Sequence, residues 1–271
     1  MEGTDRRERV PGTRPEENED PESVPPEPPV PPAATRYLER STTPSARALT
    51  GVRVHSRGMV RLGRAWWPYR GHEVTVPNHG YLRVLRVAGL LRIVDSLVEG
   101  RARRHTRVWG RAVRPDLIGP DLVRGDRAHA AISAMWVPPA LTPSSEVHWT
   151  AEGPRAASVA FSVGGAPVSL RLALHPGGLP LRVSTQRWGD PERTGFFREL
   201  PFDARVLEHR TFAGLTVPST GVLGWRTGRP GAVRAVREVL RFQLTGLEPW
   251  AVPPTVESLT ELTDSTDDEM D

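Results

Sequence analysis

Cysteine is absent from the 271 residues, which excludes disulfides, thiolate metal sites and cysteine nucleophiles. Lysine is absent too: all 36 cationic side chains are arginine. Arg, Ala, Gly and Pro are all abundant, as a GC-rich coding sequence would make them, so the choice of arginine alone is no argument for bidentate phosphate chemistry. No run reaches the roughly 18 consecutive apolar residues of a membrane-spanning helix, which excludes such a span. No charged start followed by an apolar run marks a signal peptide, so the expected location is cytoplasmic, with access to the inner membrane from that side. Tyrosine is scarce, three residues against eight tryptophans.

What is present divides the chain in three. Residues 1–35 are proline-rich and hold nine acids against four arginines, and residues 251–271 hold seven acids and no base. Neither end carries enough large apolar side chains to offset the entropy of ordering it, so both are expected to be disordered. Residues 36–250 are expected to form one domain, and the charge there is +16 within a total of +4. An acidic tail tethered to such a body would be drawn to it and would compete with an anionic partner.

Two-residue alternation dominates the middle of the chain. Val168, Leu170, Leu172 and Leu174 face one way, and Ala157, Val159, Phe161 and Val163 alternate likewise before the Gly164-Gly165 turn. After His175-Pro176-Gly177-Gly178, Leu179, Leu181 and Val183 continue the meander, so the sheet is antiparallel. Further strands are predicted at 52–62, 72–76, 81–87, 90–99, 106–113, 204–210 and 221–226. Residues 232–244 fit either a helix or a strand. One main helix is predicted from Asp121, which can cap it, to Trp136, where Val137-Pro138-Pro139 stops it. Thr35 to Arg40 reads as one or two helical turns. The fold class is therefore α+β: a strongly curved antiparallel sheet of about ten strands, partly wrapped around one helix.

Several local patterns, in this order, resemble a family of uncharacterised bacterial proteins common in actinobacteria. They are Trp67-Pro68-Tyr69 before a strand, Leu90 to Gly100 with Asp95, Met135-Trp136-Val137-Pro138 at the helix end, Arg187-Trp188-Gly189-Asp190, and Phe202 to Pro218. The resemblance covers residues 36–247 and implies a half-barrel like that of LolA-type lipoprotein carriers, with a helix on its concave face. It leads one to expect an acid three residues before Trp136; this chain has Ser133 there.

Chemistry-bearing constellations are few. His72, Glu73 and His79 lack the H-E-x-x-H spacing of a helical zinc site, and in a strand His72 and Glu73 point to opposite faces, so partly exposed strand residues are expected there. Asp95, inside an apolar run, is expected to pair with an arginine of a neighbouring strand. Asp121 reads as a cap, and Asp116 and Asp126 as solvated. No serine occupies a G-x-S-x-G elbow, and the Gly-Gly turns offer no helix N-terminus to a phosphate. No catalytic residue, metal or cofactor is assigned.

Two binding readings remain, with an enzyme of unknown type as a third. Trp67, Tyr69, Trp109, Met135, Trp136 and Trp188 either fill the core or line a pocket between sheet and helix for a hydrophobic or amphipathic small molecule such as a lipid. Arg101, Arg103, Arg104, Arg107 and Arg111, with Arg114 beyond them, form the densest basic run. They are either a solvated strand face or a surface for anionic membrane head groups or, less readily, nucleic acid.

Overall fold

The structure, a computed structural model, describes residues 29–227 and 235–252. The disorder expected for the two ends concerns residues that, up to 28 and from 253 onward, lie outside the described ones. Within them the chain is ordered earlier than expected, because helix α1 (Pro32–Ser41) starts on a proline and buries Ala33, Ala34 and Tyr37.

Strands β1 (Gly51–Leu62), β2 (Ala65–Val76), β3 (Gly80–Val87), β4 (Leu91–Val98), β5 (Arg101–Val108), β6 (Arg111–Ala112) and β7 (Leu117–Ile118) precede the main helix, α2 (Pro120–Ser133). After it come β8 (His148–Gly153), β9 (Ala156–Val163), β10 (Ala166–Leu174), β11 (Pro180–Gly189), β12 (Arg198–Phe212), β13 (Leu215–Thr227) and β14 (Ala235–Trp250). All fourteen belong to one antiparallel sheet of order β6-β5-β4-β3-β2-β1-β14-β13-β12-β11-β10-β9-β8, with β7 beside β5. Pairing of β1 with β14 joins the two meanders. Helix α2 touches β3, β4 and β5 on one side and β9 to β12 on the other, although these strands stand far apart in the sheet order. Only a sheet curved around the helix permits both sets of contacts. The sheet is open, since β6 and β8 at its ends have no mutual pairing among the described residues.

The predicted meander is present as β9, β10 and β11, and Leu170, Leu172, Val159 and Phe161 are buried on the inner face. From Ala235 on the ambiguous segment is a strand, because β14 lies in the sheet between β1 and β13. The strand expected at 106–113 is broken by a tight turn at Trp109-Gly110, where both residues have positive φ. The helix is close to its predicted bounds, since Ala134–Trp136 add a 3-10 turn before the prolines. Its cap differs: Gly119 holds the N-cap position with no side-chain cap bond, and Asp121 accepts instead from Trp188 Nε1 at 2.7 Å.

Three contacts lock α2 against β11. The Trp188–Asp121 bond is one, and Arg187 Nε donating to the Gly125 carbonyl at 3.0 Å is another. Gly125 itself allows the third, because a Cβ there would lie 2.9 Å from the Trp188 carbonyl oxygen. At the other end of the helix Trp136 donates Nε1 to the Pro218 carbonyl at 3.1 Å and stands edge-on to Phe242.

Candidate functional site

Register places two rows of charge on the sheet, one on each face, because directly opposed residues of antiparallel strands point the same way. On the inner face, Glu73 of β2 is opposite Arg83 of β3, Arg83 is opposite Asp95 of β4, and Asp95 is opposite Arg104 of β5. The signs alternate. Helix α2 lays Asp126, His129 and Ser133 over this row, and Arg187 reaches it from β11.

The contacts are direct. Arg83 Nη2 donates to Asp95 Oδ2 at 2.5 Å, and Arg104 Nε donates to the other oxygen. Arg104 and Arg187 flank Asp126 at 3.5 and 3.6 Å. Glu73 accepts from Ser133 Oγ at 2.5 Å and from His129 Nε2 at 3.0 Å, while Arg83 Nη1 lies 3.1 Å from the same imidazole nitrogen. Burial pushes Asp95 up, but Arg104 and Arg83 outweigh it and hold the carboxyl well below the usual range. Burial also raises Glu73, and His129, Arg83 and Ser133 bring it below its ordinary value. The His129 pKa is lowered, by burial first and the Arg83 charge second, against the pull of Glu73. For Asp126 burial prevails over Arg104 and Arg187, so its pKa is raised.

These groups form a balanced, closed set rather than a reactive one. Serine, histidine and glutamate have the residue types of a hydrolytic triad in the wrong order, because the carboxylate takes both donors and the serine has no bond to the imidazole. All three are buried. Two sequence expectations change here. Asp126 is 1% exposed, not solvated, and Glu73 is core, not partly exposed, since the helix covers both. His72 is buried too, on the opposite face from Glu73, where burial and then Arg53, His55, Arg92 and Arg86 push it down to about 4. The arginine pairing of Asp95 is as expected. Ser133 stands where the family resemblance leads one to expect an acid, and an acid there would meet the Glu73 carboxylate. Among the described residues no group of three or more His, Cys, Asp or Glu could hold a metal ion.

The six residues expected to line a pocket between sheet and helix are not brought together. Tyr69 and Trp136 share a void of about 20 Å3, room for roughly one water molecule. Met135 is buried in the core, and Trp188 is committed to Asp121 and to the Arg124 guanidinium, 3.9 Å from its ring. Trp67 is 42% exposed and Trp109 76% exposed, on other parts of the sheet. At that place the helix fills the space a ligand of several hundred Å3 would need.

The roomy site is on the outer face. Arg57 of β1 is opposite Arg70 of β2, Arg70 opposite Arg86 of β3, Arg86 opposite Arg92 of β4, and Arg92 opposite Arg107 of β5. Five arginines thus stand in one line across five strands. Arg57, Arg70 and Arg86 line a groove of about 1140 Å3, together with Arg241, Met59 and Pro68. Arg241 also lies over the Trp66 ring at 4.6 Å.

Of the arginines singled out from the sequence, Arg107 belongs to this row, and Arg101 and Arg103 share its face by alternation along β5. Arg103 is paired with Asp116 at 2.5 Å. Arg104 points inward to Asp95 and Asp126, and Arg111, though exposed, is opposite Val108 across the β5–β6 turn, so neither belongs to the row. Arg57, Arg70, Arg86 and Arg92 were not singled out, because they come from four different strands and become neighbours only through register.

Residues 25–232 match a family of unknown function, DUF6544. No curated protein gives a significant match. Among solved structures, a LolA superfamily protein from Nitrosomonas europaea is similar at 12% identity and a TM-score of 0.41, covering 82% of this chain and 93% of that one. A DUF1329 family protein from Desulfovibrio piger is similar at 7% identity and a TM-score of 0.43, covering 84% and 97%.

Proposed function

The chain belongs to the DUF6544 family of unknown function, and for it we propose a non-enzymatic role: binding an amphipathic small molecule with an anionic group in the outer groove. The observation that carries this reading is the groove itself, about 1140 Å3 in volume, lined by Arg57, Arg70 and Arg86 together with Met59, Pro68 and Arg241, the last already paired with Glu238 at 2.6 Å. Cations in that arrangement neutralise a phosphate or carboxylate, and the apolar walls take the first carbons of a chain. The volume is slightly above the usual small-molecule pocket range of about 300–1,000 Å3. The buried inner network supplies rigidity to the strands that present the arginines, since β2 and β3 carry members of both rows.

Titration of the full chain with dodecyl phosphate, below its micelle concentration, tests the proposal. Saturable one-to-one binding is expected, weakened at least tenfold in Arg70→Gln and by salt. Native mass spectrometry of the protein purified from a bacterium should show an anionic lipid-like adduct that Arg70→Gln sheds. Absence of saturable binding to dodecyl phosphate would overturn the reading.

A further inference from the structure

An antiparallel meander puts alternate turns at the same end of the sheet. The turns β1–β2 (Gly63-Arg64), β3–β4 (Ala88 to Leu90) and β5–β6 (Trp109-Gly110) therefore share one end. The turns β2–β3 (Pro77 to His79) and β4–β5 (Glu99-Gly100) share the other. Backbone bonds tie the first end together: the Ala88 amide donates to the Pro68 carbonyl at 2.9 Å, and the Trp109 amide to the Leu90 carbonyl at 3.2 Å. Strands about 4.8 Å apart set successive turns of one end roughly 10 Å from each other.

The two ends differ in chemistry. Trp67, Leu90 and Trp109, one at or beside each turn of the first end, are all exposed. At the other end Pro77 is buried, and the exposed turn residues are Asn78, His79 and Glu99. Charge divides in the same way. Residues 57–70, 86–92 and 107–114 hold arginines and no acid. Of these, Arg64, Arg107 and Arg111 are exposed, and Glu238 on the neighbouring β14 is paired with Arg241 at 2.6 Å. Trp109 is also out of place as a turn residue. Its φ is 47° before Gly110, a position where such tight turns ordinarily carry Asn or Gly. At 76% exposure the indole adds little to the core, so folding does not account for it.

Indole and leucine tips among cations, with no acid beside them, match the interface of an anionic bilayer. Tryptophan sits there at head-group depth, and each arginine near the surface strengthens adsorption roughly fivefold. A flat bilayer takes a line of shallow tips without the matching pocket that a protein partner needs. Leu90 offers no ring on which a base could stack, which disfavours single-stranded nucleic acid.

We propose that this end of the first meander docks on an anionic lipid bilayer surface, with Trp67, Leu90 and Trp109 entering the interface and Arg64, Arg107 and Arg111 meeting lipid phosphates. The docking does not depend on what the outer groove holds. Pro68, Ala88 and Gly89 belong to both, so docking brings part of the groove wall to the head groups.

Co-sedimentation of the full chain with vesicles tests this. Vesicles of about 30% phosphatidylglycerol in phosphatidylcholine should retain the protein at least tenfold more strongly than pure phosphatidylcholine, and about 0.5 M salt should erase the difference. The double variant Trp67→Ala/Trp109→Ala should weaken retention at least tenfold. Arg64→Gln/Arg111→Gln should do likewise, and each pair keeps the test open should the other unfold. None of these four residues lines the groove, so both variants should bind dodecyl phosphate as the parent does. Phe196→Ala/Phe197→Ala, at exposed positions between β11 and β12, should leave retention unaltered. Equal retention on charged and neutral vesicles, or none on either, would overturn the docking and leave the groove reading standing. Retention lowered by the phenylalanine pair but not by the tryptophan pair would also overturn it, by moving the lipid contact to another face. Tight binding of oligothymidylate without vesicle retention would assign this end to single-stranded nucleic acid instead.

Discussion

Glu73 of β2 and Ser133 of α2 meet across the interface between sheet and helix, with Ser133 Oγ 2.5 Å from Glu73 Oε1. Both are buried, and Ser133 also lies 3.1 Å from the His129 carbonyl one turn back. The second Glu73 oxygen accepts from His129, so the carboxylate has a donor on each oxygen before Arg83 is counted. An ionised carboxylate can remain in the core only with such partners, because its desolvation is otherwise too costly. The helix is thus joined to the sheet through charge as well as through packing, and its position over the row is specified by which donor meets which oxygen.

Ser133→Ala removes one charge-assisted bond and leaves the rest, so it should cost about 1.5–3 kcal/mol of stability in urea unfolding. Ser133→Glu should behave differently. It sets two carboxylates against each other, raising the pKa of the pair above its unfolded value. A raised carboxylate pKa contributes stability that is present at low pH and lost as pH rises through the folded value. The variant's stability deficit against the parent should therefore shrink on acidification from pH 7 to 5, and a constant deficit would show that the new carboxylate escapes Glu73.

Asp95→Asn should be among the most damaging single changes to the inner face. Asp95 is 2% exposed and takes Arg83 on one oxygen and Arg104 on the other. The amide keeps the shape and removes the charge, leaving two buried guanidinium groups to share Glu73 and Asp126. Breaking a buried pair from one side costs about 3–5 kcal/mol, and chemical denaturation of parent and variant side by side measures it. A loss under 1 kcal/mol would mean that water or movement of Arg83 compensates.

How much of this was legible in the sequence depended on whether the signal ran along the chain or across it. The alternation of β9 and β10 and the Gly164-Gly165 turn are local, and the strands fall where they predict. Asp95 stood out because a lone acid in an apolar run has few physical options. The inner row was not legible, because Glu73, Arg83, Asp95 and Arg104 become neighbours only through strand register. Nor was the outer row, where density along β5 drew attention to Arg101 through Arg111 while Arg57, Arg70, Arg86 and Arg92 came singly from four other strands. The tryptophans misled for a related reason. Composition counts them together, whereas the fold sends Trp136 to the core, Trp188 to the helix start and Trp109 to an exposed turn.

His72 should make the fold sensitive to mild acid. Its pKa is pushed down to about 4 by burial, then by Arg53, His55, Arg92 and Arg86 around it. The folded value lies below the unfolded one, so the unfolded chain takes up the proton first, and stability is lost as pH falls from about 6.5 toward 4. The loss is of order 3 kcal/mol across that window. Replacing His72 by Gln, which cannot ionise, should flatten this part of the stability–pH curve measured by thermal unfolding, and an unchanged slope would assign the acid sensitivity to other groups, with His129 next in line.

The acidic C-terminal segment should compete for the outer arginines. Residues 253–271, outside the described part, hold seven acids and no base. The described chain approaches that segment on the outer face, since Glu248 is opposite Arg53 and Trp250 is opposite Gly51 at the end of the β1–β14 pair. Nineteen extended residues span about 60 Å, so the whole row from Arg57 to Arg107 is within their reach. An acid tethered within reach of the arginines would compete at high effective concentration with any other anion. Deleting residues 253–271 should therefore strengthen binding of inorganic triphosphate several-fold at 20 mM salt, roughly where screening is weak, and the gain should vanish near 0.5 M. The same deletion in a chain carrying Arg70→Gln and Arg92→Gln should give a much smaller gain, which ties the effect to the row. An unchanged affinity at low salt would show that the tail leaves this face alone.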